Sequence, residues 1–279
     1  MRDHGITVEK PVPLRSTNNT VAWLYPAPIV AKVATGRDSR AHTELKIAQE
    51  LAVLGAPVVH PAPEMPQVVH SRNGFEVTFW RYHAQRASPE IPAGRIAGAL
   101  RQLHAALAKI SPAVRARLPS YMQELDSARS LLAEPDGLPA LFAPDRRLLA
   151  ATFDRLQAEM VALVTSNDIR VLHGGPHSYN VLVVDGEPTF IDLETACTGP
   201  VEWDLAYIDE LGYGLPINPR LLWLCQGMVS VKTAIWCWRD VERADFREHA
   251  EWHLSHVKTS IAPQVLSCTL HPFNEGSHE

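Results

Sequence analysis

Between residues 173 and 206 the chain reads HGGPHSYNVLVVDGEPTFIDLETACTGPVEWDLA, and here residue types and spacing could do chemistry. A loop rich in His and Asn leads into two short apolar runs, 181–184 and 189–191. They are joined by Asp185-Gly186, a pair suited to a tight hairpin turn. The hairpin folds the chain back, so that Asn180 before it and Asp192 after it face one point. An amide oxygen and a carboxylate converging there suit Mg2+, whose shell is completed by water and phosphate. Glu194 is a further candidate ligand. Taken singly, Asn180 and Asp192 are ordinary turn formers. His173 and His177 have the spacing of one helical turn, but Gly174-Gly175-Pro176 forbids a regular helix, so a histidine metal site carries little weight.

A second candidate lies far upstream. Lys32 is the single charge in the apolar run Ile29–Ala34. Burying it costs free energy unless it meets an anion. The other reading is an edge-strand lysine that reaches solvent along its stem. Before it, the tetrad Ser16, Thr17, Asn18 and Asn19 joins two strand-like runs. Such residues form tight turns and offer donors to phosphate, although an ordinary hairpin explains them equally well.

The elements that must position these groups fall into two regions. Val12–Arg15, Thr20–Tyr25 and Ile29–Ala34 read as strands. A helix capped by Asp38 or Ser39 runs to about Leu54, with Gly55 as its stop. Gln67–His70 and Phe75–Trp80 form a hairpin around Asn73-Gly74. Beyond, Ile96, Leu100, Leu103 and Leu107, and then Leu149, Phe153, Leu156, Met160 and Leu163, recur at helical spacing. Strand signals return at 171–172 and in the 181–191 hairpin, and residues 219–262 are again mostly helical. This is an α+β plan of two unequal lobes, that of a protein kinase. Residues 1–83 are expected to form a small β-rich lobe and residues 84–279 a larger, mainly helical lobe that carries the 173–206 loop region. On a kinase-like plan the first would bind nucleotide and the second would hold the catalytic and metal loop and the acceptor site.

Bulk properties exclude several alternatives. The chain has 279 residues, four widely spaced cysteines with no C-x-x-C pair, and a formal net charge of -5. The cysteine pattern argues against zinc and disulfide frameworks and suits a reducing cytoplasm. No signal peptide or membrane-spanning run is visible. Residues 187–279 carry six Lys/Arg against fourteen Asp/Glu. That excess discourages nucleic-acid or anionic-membrane binding and favours a cationic ligand near Glu202, Asp209, Glu210 and Glu251, or is simply a solvated acidic surface.

The 173–206 window resembles the aminoglycoside phosphotransferase/choline kinase family, whose loop reads H-G-D-x-H-x-x-N and is followed by I-D-x-E and G-P-x-x-x-D-L-A. His173, Gly174, His177, Asn180, Ile191, Asp192, Glu194, Gly199, Pro200, Asp204, Leu205 and Ala206 sit on that pattern. Fainter correspondences reach back to about Ser16. The resemblance implies that Lys32 contacts the nucleotide phosphates and pairs with a helix glutamate, Glu44 or, failing that, Glu50. It implies that Trp80 and Tyr82 flank the adenine edge, and that His173 and Asp204 brace the loop by hydrogen bonds. The family's base aspartate falls on Gly175, with His177 as the substitute nearest in sequence. General-base catalysis contributes about 10²–10⁴ in rate, whereas phosphoryl transfer rests mainly on charge neutralisation and positioning. The expectation is transfer of phosphate from ATP or GTP, with Mg2+, to a hydroxyl of a small, cationic acceptor. A nucleotide-binding module without turnover and a nucleotidyl transferase are the competing readings.

Overall fold

The computed structural model describes residues 5–16, 19–35, 40–84, 91–134, 136–208 and 212–266. They divide into two compact units. The first comprises 1–119, 170–199 and 207–215, and the second comprises 120–169, 200–206 and 216–279. The lobe boundary expected at 83/84 therefore falls inside the first unit, which also takes in the 170–199 loop region.

Unit one is built on a five-stranded sheet in the order β1-β2-β3-β5-β4. Its strands are β1 (Lys10–Ser16), β2 (Thr20–Tyr25), β3 (Ile29–Thr35), β4 (His70–Arg72) and β5 (Phe75–Arg81), each pairing antiparallel with its neighbours. The hairpin turn expected at Asn73-Gly74 is present, both residues having positive φ, but the strand before it begins only at His70. In β3 the small or branched residues Ile29 and Ala31 are buried on one face, which leaves Val30, Lys32 and Ala34 on the other. β3 is the central strand, so Lys32 is not the edge lysine of the alternative reading.

Helix α1 (Ala41–Val53) buries Ala41, Glu44, Leu45, Ile47, Ala48 and Leu51, a stripe at helical spacing. Glu44 interrupts that otherwise apolar stripe. Its end at Gly55, with φ of 64°, matches the expected stop, and its expected caps Asp38 and Ser39 lie outside the described residues. Helices α2 (Ala93–Leu107) and α3 (Pro112–Arg115) follow, α2 packing against β6 (Arg170–Leu172) and β8 (Glu187–Phe190). β7 (Val181–Val184) pairs with β8 as the expected hairpin. β6 pairs with β9 (Cys197–Gly199), a strand too short for any sequence period to reveal. The proline-rich passage is not idle: Phe190 donates to the Pro57 carbonyl at 2.8 Å and Val59 donates back to Phe190 at 2.9 Å. Two main-chain bonds and the fully buried Phe190 ring thus fix the hairpin just before Asp192.

Unit two is helical: α4 (Tyr121–Ala133), α5 (Ala143–Leu163), α6 (Val201–Leu205), α7 (Pro219–Arg239), α8 (Ala244–His256), a π-turn at Val257–Ile261 and α9 (Ala262–Leu266). α7 is buried on most of its circumference, as a helix packed on several sides must be. Within it, Lys232 reaches Glu124 at 2.9 Å and lies 5.1 Å from the centre of the buried Trp203 ring. No helix among the described residues is long and apolar enough to cross a membrane.

On α8, His253 sits beside Ser230 of α7, 3.3 Å from its hydroxyl. Burial, with the charges of His249 and His256, lowers its imidazole to about 4. The unfolded chain therefore binds more protons than the native one between roughly pH 6.5 and 4, and stability is lost as pH falls through that window. Urea midpoints at pH 7.5 and 5.0 should show this loss, and His253→Gln should reduce the difference between them. An undiminished difference would contradict the assignment.

Candidate active site

The charged cluster assembles on unit one from three separate elements. Lys32 Nζ donates to both Glu44 oxygens at 2.9 Å and to Asp192 Oδ1 at 2.6 Å, and it forms an ion pair with Glu194 Oε2 at 2.9 Å. Glu44 is the partner because its position on α1 turns it inwards. Glu50, six residues on, instead accepts from the Ser111 amide and hydroxyl at the start of α3. Asp192 is held with φ of 68° at the end of the hairpin, a left-handed conformation that Asp tolerates better than most residues.

Glu44 and Asp192, on the same ammonium, do not titrate alike. Burial disfavours the lysine's charge, but Glu44, Asp192 and Glu194 more than reverse that and keep it protonated. Burial likewise raises Asp192, but the Lys32 charge and hydrogen bond, with the Arg15 guanidinium, hold it below the usual carboxylate range. Glu44 is the most deeply buried of the three, and desolvation lifts it to about 7 against the pull of Lys32.

The loop before the hairpin is built around His173 and Asn180. His173 is fully buried; its Nε2 donates to the Ile191 carbonyl at 2.9 Å and its Nδ1 accepts from Gly175 N–H at 3.3 Å. That pairing defines a neutral ring with the proton on Nε2. Asn180 Nδ2 donates to the Gly175 carbonyl at 3.0 Å and to His177 Nε2 at 3.2 Å. The His177 lone pair that would accept a proton at Nε2 is therefore already engaged. Asn180 Oδ1 accepts from Arg15 at 3.3 Å. Arg15 carries no signal in the sequence beyond its charge, and only the fold brings it here.

Other expected residues are placed less centrally. Of the polar tetrad, Asn19 donates to Glu194 at 2.6 Å; Ser16 pairs with Thr20 through the main chain, and Thr17 and Asn18 lie outside the described residues. Trp80 donates to Thr78 at 2.9 Å, and Tyr82 stacks on Trp23 with ring centres 4.2 Å apart. In unit two, Asp204 is wholly buried on α6 and Glu251 is exposed on α8. Glu202 is buried and accepts from the Asn218 amide at 2.7 Å, so its charge caps α7. Asp209 and Glu210 lie outside the described residues.

The donor set fits a hard divalent ion. Asp192, Glu194 and Asn180 offer oxygen ligands, and each already meets a cationic side chain, Lys32 for the two carboxylates and Arg15 for the amide oxygen. Among the described residues no group of three or more His, Cys, Asp or Glu is arranged to hold a metal by itself. An ion here would need phosphate and water to complete its shell.

The chain matches the model of the phosphotransferase enzyme family over residues 10–220, and it belongs to that family. By class it is a small-molecule phosphotransferase. No curated protein sequence matches it. Among solved structures it is similar to a spectinomycin phosphotransferase in complex with ADP and spectinomycin, at 14% identity, TM-score 0.68, covering 92% of this chain and 95% of that one. It is similar to an amicoumacin kinase in complex with AMP-PNP, at 13% identity, TM-score 0.69 and coverage of 91% and 90%. A choline/ethanolamine kinase family protein from Mesorhizobium loti matches at 20% identity, TM-score 0.63 and coverage of 92% and 91%. The α+β, kinase-like fold expected from the sequence is the fold these proteins share.

The two loop glycines differ physically. Gly174 has φ of 89°, and a Cβ there would collide with the Thr195 carbonyl oxygen. A Cβ on Gly175 would meet only Thr195 Oγ1, at an ordinary 3.4 Å. Gly174→Ala should therefore cost about 2–5 kcal/mol from strain and overpacking, whereas Gly175→Ala should stay within about 1 kcal/mol of the parent. Equal urea midpoints for the two variants would contradict this geometry.

Proposed function

We propose that the chain transfers the γ-phosphate of ATP or GTP to a hydroxyl of a small molecule in a Mg2+-dependent reaction. One observation carries the reading: Lys32, a central-strand lysine, meets Glu44, Asp192 and Glu194 at 2.6–2.9 Å. A buried ion cluster of this kind is poor value for stability, since apolar residues of similar volume would serve as well or better. It suits a site that must receive a highly charged ligand. Residues 1–83 would form the nucleotide-binding lobe, with Trp80 and Tyr82 towards the base, and 84–279 the lobe that carries the acceptor. Cys197, Cys225 and Cys237 are buried and not in disulfides, which supports a reducing, cytoplasmic setting.

Within this reading each residue has a task. Lys32 orients the α- and β-phosphates, and Glu44 holds Lys32. Asp192 and Asn180, with Glu194, would hold Mg2+, which neutralises charge on the phosphate oxygens. His173 braces the loop. No side chain at Gly175 takes the proton of the acceptor hydroxyl, so positioning and charge neutralisation supply most of the rate. His177 becomes a base only if Asn180 releases its Nε2. A cationic acceptor is supported by the acidic excess over 187–279, although the Glu202 charge is already spent on α7.

Gly175 favours a second reading, a nucleotide-binding module with little turnover. Labelled ATP, Mg2+ and a panel of amino alcohols and aminoglycosides test the two together. The proposal expects transfer that Asp192→Ala reduces at least 100-fold, equivalent to about 2.7 kcal/mol of barrier. It also expects Gly175→Asp, whose Cβ would meet only Thr195 Oγ1, to raise the rate by about 10-fold or more. Nucleotide binding without transfer by the parent protein would establish the second reading, and a nucleotide adduct in the product mass would establish nucleotidyl transfer.

A further inference from the structure

Arg15 is displaced into the site row by an irregularity in β1. From Lys10 to Pro13 the strand pairs residue by residue with β2, ending at Pro13 opposite Ala22. Continued alternation would set Leu14 opposite Val21. Instead the register shifts, Leu14 is passed over and Arg15 pairs with Val21. Val21 in turn pairs with Lys32, and Lys32 with Thr78. Residues directly opposite one another share a face of the sheet, so Arg15 and Lys32 lie in one cross-strand row on one side. A bulge re-aims side chains in this way. Here its effect is to exchange a leucine for a guanidinium in the row that faces Asp192 and Asn180.

We propose that Arg15 binds the phosphates of the nucleotide. This rests on the reading of the Lys32 cluster as a nucleotide-phosphate site and adds a second cation to it. Lys32 is already shared among three carboxylates. Arg15 makes one hydrogen bond among the described residues, to Asn180 Oδ1 at 3.3 Å, and the side chain is otherwise exposed. A guanidinium carries five N–H donors in a planar fork that matches phosphate oxygens, so four donors remain for a ligand. Its single bond falls on an oxygen that the metal reading assigns to Mg2+. Arrival of metal and nucleotide would displace Arg15 from Asn180 and leave its whole fork to the phosphates. The neighbouring Asn19–Glu194 bond, at 2.6 Å, ties the same β1–β2 turn to the same hairpin end.

Calorimetric titration with Mg·ATP, ATP in EDTA, Mg·ADP and adenosine separates this role from a structural one. Arg15→Gln should weaken Mg·ATP by about 10- to 100-fold while adenosine changes less than about twofold, and Arg15→Lys should recover part of the loss. The ATP-to-adenosine ratio is read within each protein sample, so partial misfolding lowers stoichiometry without mimicking the effect. If Arg15 only steadied Asn180, which would hold the metal, Arg15→Gln would weaken Mg·ATP but leave ATP in EDTA unchanged, and the proposal fails; a direct phosphate contact weakens both. An unchanged ratio in a parent protein that binds nucleotide overturns Arg15 alone. A parent protein that binds neither ATP nor adenosine overturns the nucleotide reading with it.

Discussion

Lys32 is the constraint around which the rest of the site is organised. Its ammonium stands on the central strand of the sheet and meets carboxylates from α1 and from the far end of the β7–β8 hairpin. Remove it, and three carboxylates, one of them almost wholly buried, face one another without a counter-charge. Losing one partner of a buried ionic group typically costs about 3–5 kcal/mol, because the remaining charges are left uncompensated. The same three carboxylates explain the unequal protonation: the most buried, Glu44, titrates near neutrality, whereas Asp192 is held ionised by Lys32 and Arg15.

The cluster forms because unrelated local rules agree. Alternation on β3 puts Lys32 opposite the buried Ile29 and Ala31. Helical spacing puts Glu44 in the inward stripe of α1. The Asp185-Gly186 turn returns the chain, and main-chain bonds from Pro57 and Val59 hold Phe190, so that Asp192 arrives at a fixed place. Gly174 allows the loop to pass close to the Thr195 carbonyl, and His173 ties that loop to the far end of the hairpin through Gly175 and Ile191. Each of these devices is local, but they meet at one ammonium.

Much of this was legible from residue types. The single charge in an apolar run marked Lys32, the turn pair marked the hairpin, and the spacing across it marked Asn180 and Asp192. What could not be read depends on register and packing. The β1 irregularity that aims Arg15 follows from strand pairing, which no window of sequence contains. Glu194 was visible as a carboxylate near the hairpin, but its shared hold on Lys32 and Asn19 was not. Glu202 looked available as a surface charge, yet the fold spends it on the Asn218 amide. β9 is three residues long and shows only as the partner of β6.

The central claim is that the Lys32 cluster is a receptor for nucleotide phosphates and not a structural ion network. Calorimetric titration of Lys32→Met with Mg·ATP tests it most directly, with folding checked by circular dichroism. The account predicts that a folded Lys32→Met protein loses at least 10-fold in Mg·ATP affinity, about 1.4 kcal/mol, while its affinity for adenosine is retained. A folded variant that binds Mg·ATP as tightly as the parent would contradict it.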